Sequence, residues 1–410
     1  MVELGIVGAG PAGMMAALEA AKQGARVLLF DRNPMVGRKL LVTGNGRCNL
    51  TNIRLAPGRY ACSDRSFLAE VLGGFGREDL LAALNEIGVL TYSTPDGWFY
   101  PLSNSAAAVA EVFAAALETA GVEQILQVKI SAIRPVKGRF VLEAGGPSQT
   151  HRVDRVIVAA GGKAYPALGS KGELFPVLEG LGHTVLPIRP ALAPIRAEVK
   201  QFHKLQGVRL DVGLALYQGE KKLGETTGNL MFTQFGFSGP AAMDLSHRVI
   251  TPRKDDPSPA PQKLVINLIP YHLVELRDLI ARKRDERVPL RVVLGAVLPV
   301  KVPPVMMGLA GLPAELPLKQ VSDRELEDLL KLLTELSVTV TGTRGFQFSQ
   351  LSTGGVPAGE VDPRTMASRR VKGLYLAGEV LDVVGPCGGY NLQFAFSSGA
   401  LAGRAAGAVG

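Results

Sequence analysis

Two short apolar runs, residues 4–7 and 25–30, flank a small-residue segment at the start of the chain. The first stops at a glycine. Between them, residues 11–23 are rich in Ala and Met, with Pro11 suited to a first helical turn and Gly24 placed just past the end. Strand, helix and strand within thirty residues predict parallel strands. Continuous rather than alternating apolar runs predict a sheet covered on both faces. Residues 103–120 read as an Ala-rich helix capped by Ser103 or Ser105. Residues 124–134 and 139–143 pattern as paired strands, and 153–159 as another buried strand leading to a Gly-Gly pair.

The texture changes near Pro187. From there to Ser246 the chain shows short alternating runs, such as 207–217, divided by turn signals, which predicts a β-rich insertion. Residues 251–262 (TPRKDDPSPAPQ) read as an exposed loop. Segments 273–287 and 323–336 have helical spacing with charge on one face and predict a small helical insertion. After Ser337 short strands return. Residues 373–377 form a last buried strand, followed by a glycine-rich turn and a final helix over 392–406.

Composition sharpens this picture. A length of 410 residues holds two to three domains at ~150 residues each. With 47% hydrophobic and 20% charged residues, disorder is excluded as the main state. The 48 glycines are about 12% of the chain against a usual ~7%, and they follow no collagen-like period. They must serve tight turns or close approaches of backbone to a partner. The net charge of +8 keeps acidic partners in play without proving one. Cys48, Cys62 and Cys387 are too scattered for a disulfide framework or a metal site, so a reducing, cytoplasmic setting is expected. Five scattered histidines predict no metal site. No apolar run is long enough to cross a membrane, since 292–318 is broken by Lys301 and several prolines, and residues 1–7 do not read as a signal peptide.

The chemistry starts at Gly8-Ala9-Gly10-Pro11-Ala12-Gly13. Gly8 permits the tight turn, Gly10 lets a pyrophosphate reach the backbone, and Gly13 lets helix and strand pack closely. The helix N-terminus offers unpaired N–H groups and partial positive charge. Asp31 ends the second strand 18 residues after Gly13, where a carboxylate can accept from both ribose hydroxyls. That suits FAD or NAD and disfavours NADP. Two later strand–glycine turns, Ala160-Gly161-Gly162 and Gly378-Glu379 followed by Gly385, Gly388 and Gly389, favour the longer FAD, which needs several strand ends to converge on it. There is no second GxGxxG for a dedicated nicotinamide domain. The predicted fold is therefore α/β: a Rossmann-like FAD-binding domain with a parallel sheet, split between both chain ends. Its parts are 1–188 and 351–410, with a β-rich domain at 189–271, a helical subdomain at 272–336 and a return strand at 337–350.

Segments 37–52 (GRKLLVTGNGRCNLTN) and 373–403 (GLYLAGEVLDVVGPCGGYNLQFAFSSGALAG) resemble signatures of the bacterial YhiN/BaiN-like family, the aminoacetone-oxidase-like FAD-binding enzymes. Further matches are Phe99-Tyr100-Pro101, 161–172 (GGKAYPALGSKG), 190–196 (PALAPIR), 229–240 (NLMFTQFGFSGP) and 353–356 (TGGV). The resemblance covers nearly the whole chain. It implies that Gly44, Asn45, Gly46, Arg47 and Asn49 run along the flavin ring and pyrophosphate. Two departures, Gln234 where family members often carry His and Trp98 where a basic residue is common, fall at positions expected to face the substrate.

The residues assigned to the cofactor are Gly8, Gly10, Pro11, Ala12, Gly13, Asp31, Arg32, Lys39, Gly44, Asn45, Gly46, Arg47, Cys48, Asn49, Ala160, Gly161, Gly162, Gly378, Glu379, Asp382, Gly388, Gly389, Tyr390, Asn391 and Leu392. Glu379 and Asp382 are candidate ribityl contacts. Gly388, Gly389 and Asn391 start a helix suited to the negative charge of a reduced flavin edge. Cys48 and Cys387 as redox thiols, and Tyr165 and Tyr390 as proton donors, compete with plain packing roles. His183, His203 and His247 read as structural, and no catalytic residue is assigned. The expectation is an FAD-dependent oxidoreductase transferring hydride between flavin N5 and a small organic substrate, in a cleft between the FAD domain and the insertion. The family labels imply amine oxidation or reduction of an unsaturated compound, with NAD(P)H a candidate electron donor. No membrane or nucleic-acid partner is expected: the arginines of 277–291 are interleaved with acids. The alternatives are an FAD-dependent RNA-modifying enzyme and a non-catalytic flavin sensor.

Overall fold

The computed structural model describes residues 1–145, 149–250 and 260–408, so most of the loop expected at 251–262 lies outside the described residues. The chain forms two units, one from residues 1–191 and 349–410, the other from 192–348.

In the first unit, β1 (Glu3–Val7), α1 (Pro11–Lys22) and β2 (Arg26–Phe30) build the strand–helix–strand unit. They are followed by α2 (Ala106–Thr119), β3 (Glu123–Ile125), β4 (Arg155–Val158), β5 (Leu374–Leu376) and α3 (Tyr390–Gly407). The five strands make one sheet in the order β5-β4-β1-β2-β3, with all neighbours parallel. Val7 is in register with Phe30 on one side and Val158 on the other, so three strands end level. Ser105 is the cap of α2, its hydroxyl accepting from Ala108 N–H at 3.2 Å.

The run at 124–134 is not one strand. Its first residues join the parallel sheet beside β2, the chain turns at Gln127 (φ +59°), and Ile130–Val136 then pairs antiparallel with Arg139–Ala144. Apolarity alone could not show that its two halves belong to different sheets.

Helix α3 lies on α1 at backbone contact distance. A Cβ at Gly399 would sit 2.2 Å from Ala12 O, and one at Gly403 would sit 2.3 Å from Ala16 O. Glycines spaced four apart thus form a flat stripe against the alanines of α1. This contact joins the last helix of the chain to the first and seats both at the C-terminal edge of the sheet.

The second unit is a closed antiparallel barrel of six strands: Ile195–Ala197, Gly236–Ser238, Lys221–Thr233, Arg209–Gln218, Gln262–Asn267 and Leu336–Thr343, in that order. Alternation puts Leu214, Leu216, Phe232, Leu264, Ile266 and Val338 inside. The helices Leu273–Lys283 and Asp323–Thr334 bury Leu276, Ile280, Leu329, Leu330 and Leu333 in that same core, so barrel and helices are one packed body. The second helix starts with a capping box in which Ser322 and Glu325 bond reciprocally. Three arginines of this region are paired with neighbours, Arg277 with Glu327, Arg284 with Asp323 and Arg291 with Glu315, while Arg282 and Arg287 are exposed.

Candidate functional site

Four segments of the first unit leave the sheet at its C-terminal edge, the ligand-binding edge of parallel α/β sheets. Gly8 has φ +107°, and a Cβ there would lie 2.4 Å from Ala159 O. A Cβ at Gly13 would lie 1.8 Å from Gly8 O, so helix and turn touch without room for a side chain. A Cβ at Gly10 would meet nothing within 4 Å. The space over the N-terminus of α1 is thus open, no side chain caps it, and Pro11 and Ala12 begin the helix.

Asp31 has work inside the protein. Its Oδ2 accepts from Ala9 N–H at 2.7 Å, while Oδ1 accepts from the backbone and side-chain N–H groups of Asn33 at 2.8 and 2.9 Å. Asn33 in turn donates to Leu168 O at 3.2 Å and ties in the turn after Tyr165. Tyr165 itself holds a left-handed backbone (φ +53°), sparsely populated for a residue with a side chain. Ala9 O accepts from Gly37 N–H at 2.8 Å, so the glycine turn anchors the acid on one side and the 37–52 segment on the other. Arg32 is paired with Glu173, which also takes Lys129 at 2.9 Å. Burial opposes ionisation of Glu173, but the two cations outweigh it and lower its pKa.

A second cluster joins residues far apart in sequence. Glu379 accepts from Lys39 Nζ at 2.5 Å and from the backbone and hydroxyl of Ser352, both at 2.9 Å. Ser352 Oγ also accepts from Lys163 N–H at 3.0 Å. A Cβ at Gly162 would strike Ser352 Oγ and Glu379 Oε1, at 2.0 and 2.7 Å, so the Ala160-Gly161-Gly162 turn lies directly on this network. Gly378 N–H donates to Ser398 Oγ at 2.9 Å. Asp382 accepts from Gly354 N–H at 2.7 Å and Thr353 Oγ1 at 3.1 Å, holding the strand Leu351–Gly355.

The third cluster surrounds the start of α3. Gly44, Asn45 and Gly46 have φ values of +57°, +56° and +85°, a left-handed run that curls the 40–46 turn. Arg47 lies over the Tyr100 ring at 4.4 Å and donates to its hydroxyl at 3.2 Å. Asn49 is buried, and its Oδ1 has no hydrogen-bond partner. That atom would be 2.8 Å from a Cβ placed on Gly389, whose φ is +94°. A Cβ on Gly388 would touch the Trp98 indole at 3.2 Å, and Gly388 O accepts from Asn52 Nδ2 at 2.8 Å. Asn391 bonds Gly385 from both ends of its amide, 2.7 and 2.9 Å, fixing the glycine-rich turn, and Leu392 follows in the first turn.

Several side chains prove to be packing elements. Cys48 is fully enclosed in the core, and burial pushes its thiol up to about 12, against a weaker opposing hydrogen bond from Thr43. Tyr390 is buried edge-on to Tyr60, and its hydroxyl donates to Arg54 O at 3.3 Å. His183 Nδ1 lies 2.7 Å from Glu360 and its Nε2 2.8 Å from Ser368 Oγ. Sequence reasoning missed Asn33, Ser352 and Gln393. The last is wholly buried and takes Thr51 Oγ1 at 2.5 Å while donating to Gly76 O at 3.0 Å. A buried Gln in an otherwise small and apolar helix was the available signal.

In the second unit a cavity of about 660 Å³ is lined by Ala197, Glu198, Lys200, His203, Thr233 and Gln234, among others. Gln234 was one of the two positions expected to face the substrate.

The donor set fits a dinucleotide-type cofactor. An uncapped helix start with open space above it suits phosphates. An orphaned buried acceptor at Asn49 beside a side-chain-free helix start suits a polar ring edge. Among the described residues no group of His, Cys, Asp and Glu could hold a metal, and no helix is long and apolar enough to cross a membrane.

Comparison with known proteins agrees. The profile of a family described as "HI0933-like protein Rossmann domain" matches residues 2–405. A 3-dehydro-bile acid delta(4,6)-reductase of Clostridium scindens is 35% identical over 99% of both chains. Ribosomal RNA dihydrouridine synthases of Escherichia coli and Haemophilus influenzae are 31% and 30% identical, over 96% of this chain and 95% of theirs.

Proposed function

This chain belongs to the HI0933-like family, and we propose that, as a flavin-dependent oxidoreductase, it reduces a carbon–carbon double bond conjugated to a carbonyl, using FAD. The names of its relatives support this reading. A delta(4,6)-reductase acting on a 3-dehydro-bile acid and an enzyme that makes dihydrouridine both saturate a ring double bond activated by a nearby carbonyl. One chemistry thus serves two unlike substrates. Amine oxidation has no such support.

The observation that carries the cofactor assignment is the unpartnered Asn49 Oδ1 facing Gly389 at the start of α3. Bound flavin would supply hydride to the β-carbon of the substrate, with a proton completing the α-carbon. The chain does the rest. Gly8 to Gly13 would hold the pyrophosphate on backbone N–H groups, and Asp31, already braced by Ala9 and Asn33, would take the ribose. The 44–49 turn and Gly388-Gly389 would line the ring. The N-terminal end of α3, with its partial positive charge, favours electron density on that side. NAD(P)H is the proposed reductant; with no second dinucleotide fingerprint in the sequence, it would visit the substrate cavity rather than a domain of its own.

The test is a two-step anaerobic experiment on the purified holoenzyme. NADPH or NADH should bleach the flavin, and a conjugated cyclic enone should restore its colour with one equivalent of saturated product. Recovery only with oxygen, together with turnover of an amine, would replace this reading by an oxidase.

A second reading, supported by the RNA-acting relatives, puts the same chemistry on uridine within RNA. Three arginines of the helical region are spent on carboxylates, which leaves the exposed Arg282 and Arg287 as its free positive charge there. Dihydrouridine formed on an rRNA fragment incubated with enzyme and NADPH would decide for it.

A further inference from the structure

A three-stranded sheet in the first unit carries a row of aromatic rings. Its strands are Thr51–Asn52, Trp98–Pro101 and Thr91–Ser93, with Trp98–Pro101 in the middle. Alternation along the middle strand puts Trp98 and Tyr100 on one face, and Tyr92, directly across from Tyr100, joins them. Ring centres are 6.5 Å apart for Trp98 and Tyr100, and 6.2 Å apart for Tyr100 and Tyr92.

The three rings are not equivalent. Tyr100 is 1% exposed, with Arg47 seated on its face. Tyr92 spends its hydroxyl on Asn104 Oδ1 at 2.8 Å. Trp98 is half-buried and meets Tyr100 at a tilt of 41° rather than in a stack. Its place is fixed by backbone. Trp98 N–H donates to Thr94 Oγ1 at 3.1 Å, Trp98 O accepts from Thr94 N–H at 2.8 Å, and a Cβ on Gly97 would overlap the Ile53 side chain. Asn52, paired with Trp98 across the strands, donates to Gly388 O at 2.8 Å. The indole would meet a Cβ on Gly388 at 3.2 Å. A firmly held, half-exposed indole thus borders Gly388 and Gly389, the proposed lining of the flavin ring. Covering such a face with a second flat ring is favourable, and the gain grows with the area of that ring.

We propose that the Trp98 indole is the wall against which the substrate ring stacks. Trp98 is then a specificity residue, and the substrate class is a free cyclic enone with a flat conjugated ring rather than an open-chain one. This rests on the reductase reading, and the experiment keeps the two apart. The FAD-loaded enzyme and its Trp98→Phe and Trp98→Ala variants are assayed with NADPH and a fused bicyclic enone, and with an open-chain enone. Trp98→Ala should raise KM for the ring compound roughly 10–100-fold with kcat less affected. KM for the open-chain compound should stay nearly constant, which also shows that the variant is folded. Trp98→Phe should recover part of the loss. Equal effects on both compounds, or none on the ring compound, overturn the proposal. Loss of FAD from Trp98→Ala, with KM for the ring compound restored once FAD is saturating, would assign the indole to the cofactor and overturn it as well.

If the wild type turns over neither compound, the reductase reading is at fault, and binding still reports on Trp98. It is the one tryptophan of the chain, so tryptophan fluorescence comes from this position alone. A saturable change in that emission with the bicyclic enone, and none with the open-chain enone, upholds the ring site; no change with either rejects it. A uridine-rich oligoribonucleotide forms the last arm. A change in emission with that strand, and none with the bicyclic enone, would assign the indole to a base in RNA and overturn the small-molecule proposal.

Discussion

Lys39 and Glu379 lie 340 residues apart in sequence and meet as an ion pair, Nζ to Oε2 2.5 Å, with side chains only 20% and 12% exposed. Glu379 is also the acceptor for Ser352, so this pair links the 37–52 segment, the Gly161-Gly162 turn and the C-terminal part of the chain. Lys39→Met would leave the carboxylate enclosed without its cation. The expected cost is about 3 kcal/mol in chemical denaturation. Adding Glu379→Gln should return part of it, and strictly additive losses would show that the two do not interact.

The α1–α3 contact makes a sharper steric prediction. Gly403→Ala would set a methyl 2.3 Å from Ala16 O and force the helices apart. A loss of about 1–3 kcal/mol is expected, with weaker flavin retention, because α1 and α3 both begin at the site. Gly73→Ala is the control. It lies in the helix Arg65–Gly74 with nothing within 4 Å of its would-be Cβ, and should stabilise by about 0.5–1 kcal/mol. Thermal unfolding of the two variants checks both signs.

Asp31 should matter for shape as well as for ligand. Asp31→Ala removes acceptors from Ala9 and Asn33, so flavin retention should fall by about 1.5–3 kcal/mol. Asp31→Asn keeps one oxygen for Ala9 and should fall less. Equal retention in all three proteins, measured by dialysis against free flavin, would remove Asp31 from the site.

Glu360 predicts an acid-labile contact. Burial opposes its ionisation, but hydrogen bonds from Thr184, His183 and Arg370 outweigh this and hold its carboxyl at about 2, below its ordinary 4.5. A lowered folded-state pKa contributes stability above pH 4.5 that is lost as pH falls toward about 2. The contribution is on the order of 2 kcal/mol. Denaturation midpoints at pH 6 and pH 3 should therefore differ more in the wild type than in Glu360→Gln.

The thiol of Cys48, enclosed and raised to about 12, should resist alkylation in the native protein at neutral pH. Mass spectrometry after iodoacetamide treatment should find it labelled only after unfolding. Rapid native labelling would reopen a redox role.

What the sequence made legible was local. The strand–helix–strand unit, the glycine turn and Asp31 depend on neighbours within thirty residues, and the periodicity carries them. Ser352 was invisible because its place beside Glu379 depends on Leu351–Gly355 pairing with Leu186–Ala191. The split of 124–134 between two sheets was hidden for the same reason: an apolar run does not say which strand it will meet. The helices at 273–283 and 323–334 were readable as helices, yet their apolar faces gave no sign that they share the barrel core. The isolated acceptor of Asn49 is a property of packing alone.

The most direct test of the account is the identity of the cofactor released when the purified protein is unfolded. Mass spectrometry and the absorbance spectrum should give FAD, about one per chain, and lower occupancy in Gly403→Ala. A colourless protein that takes up only a nicotinamide dinucleotide, and no FAD, would contradict it.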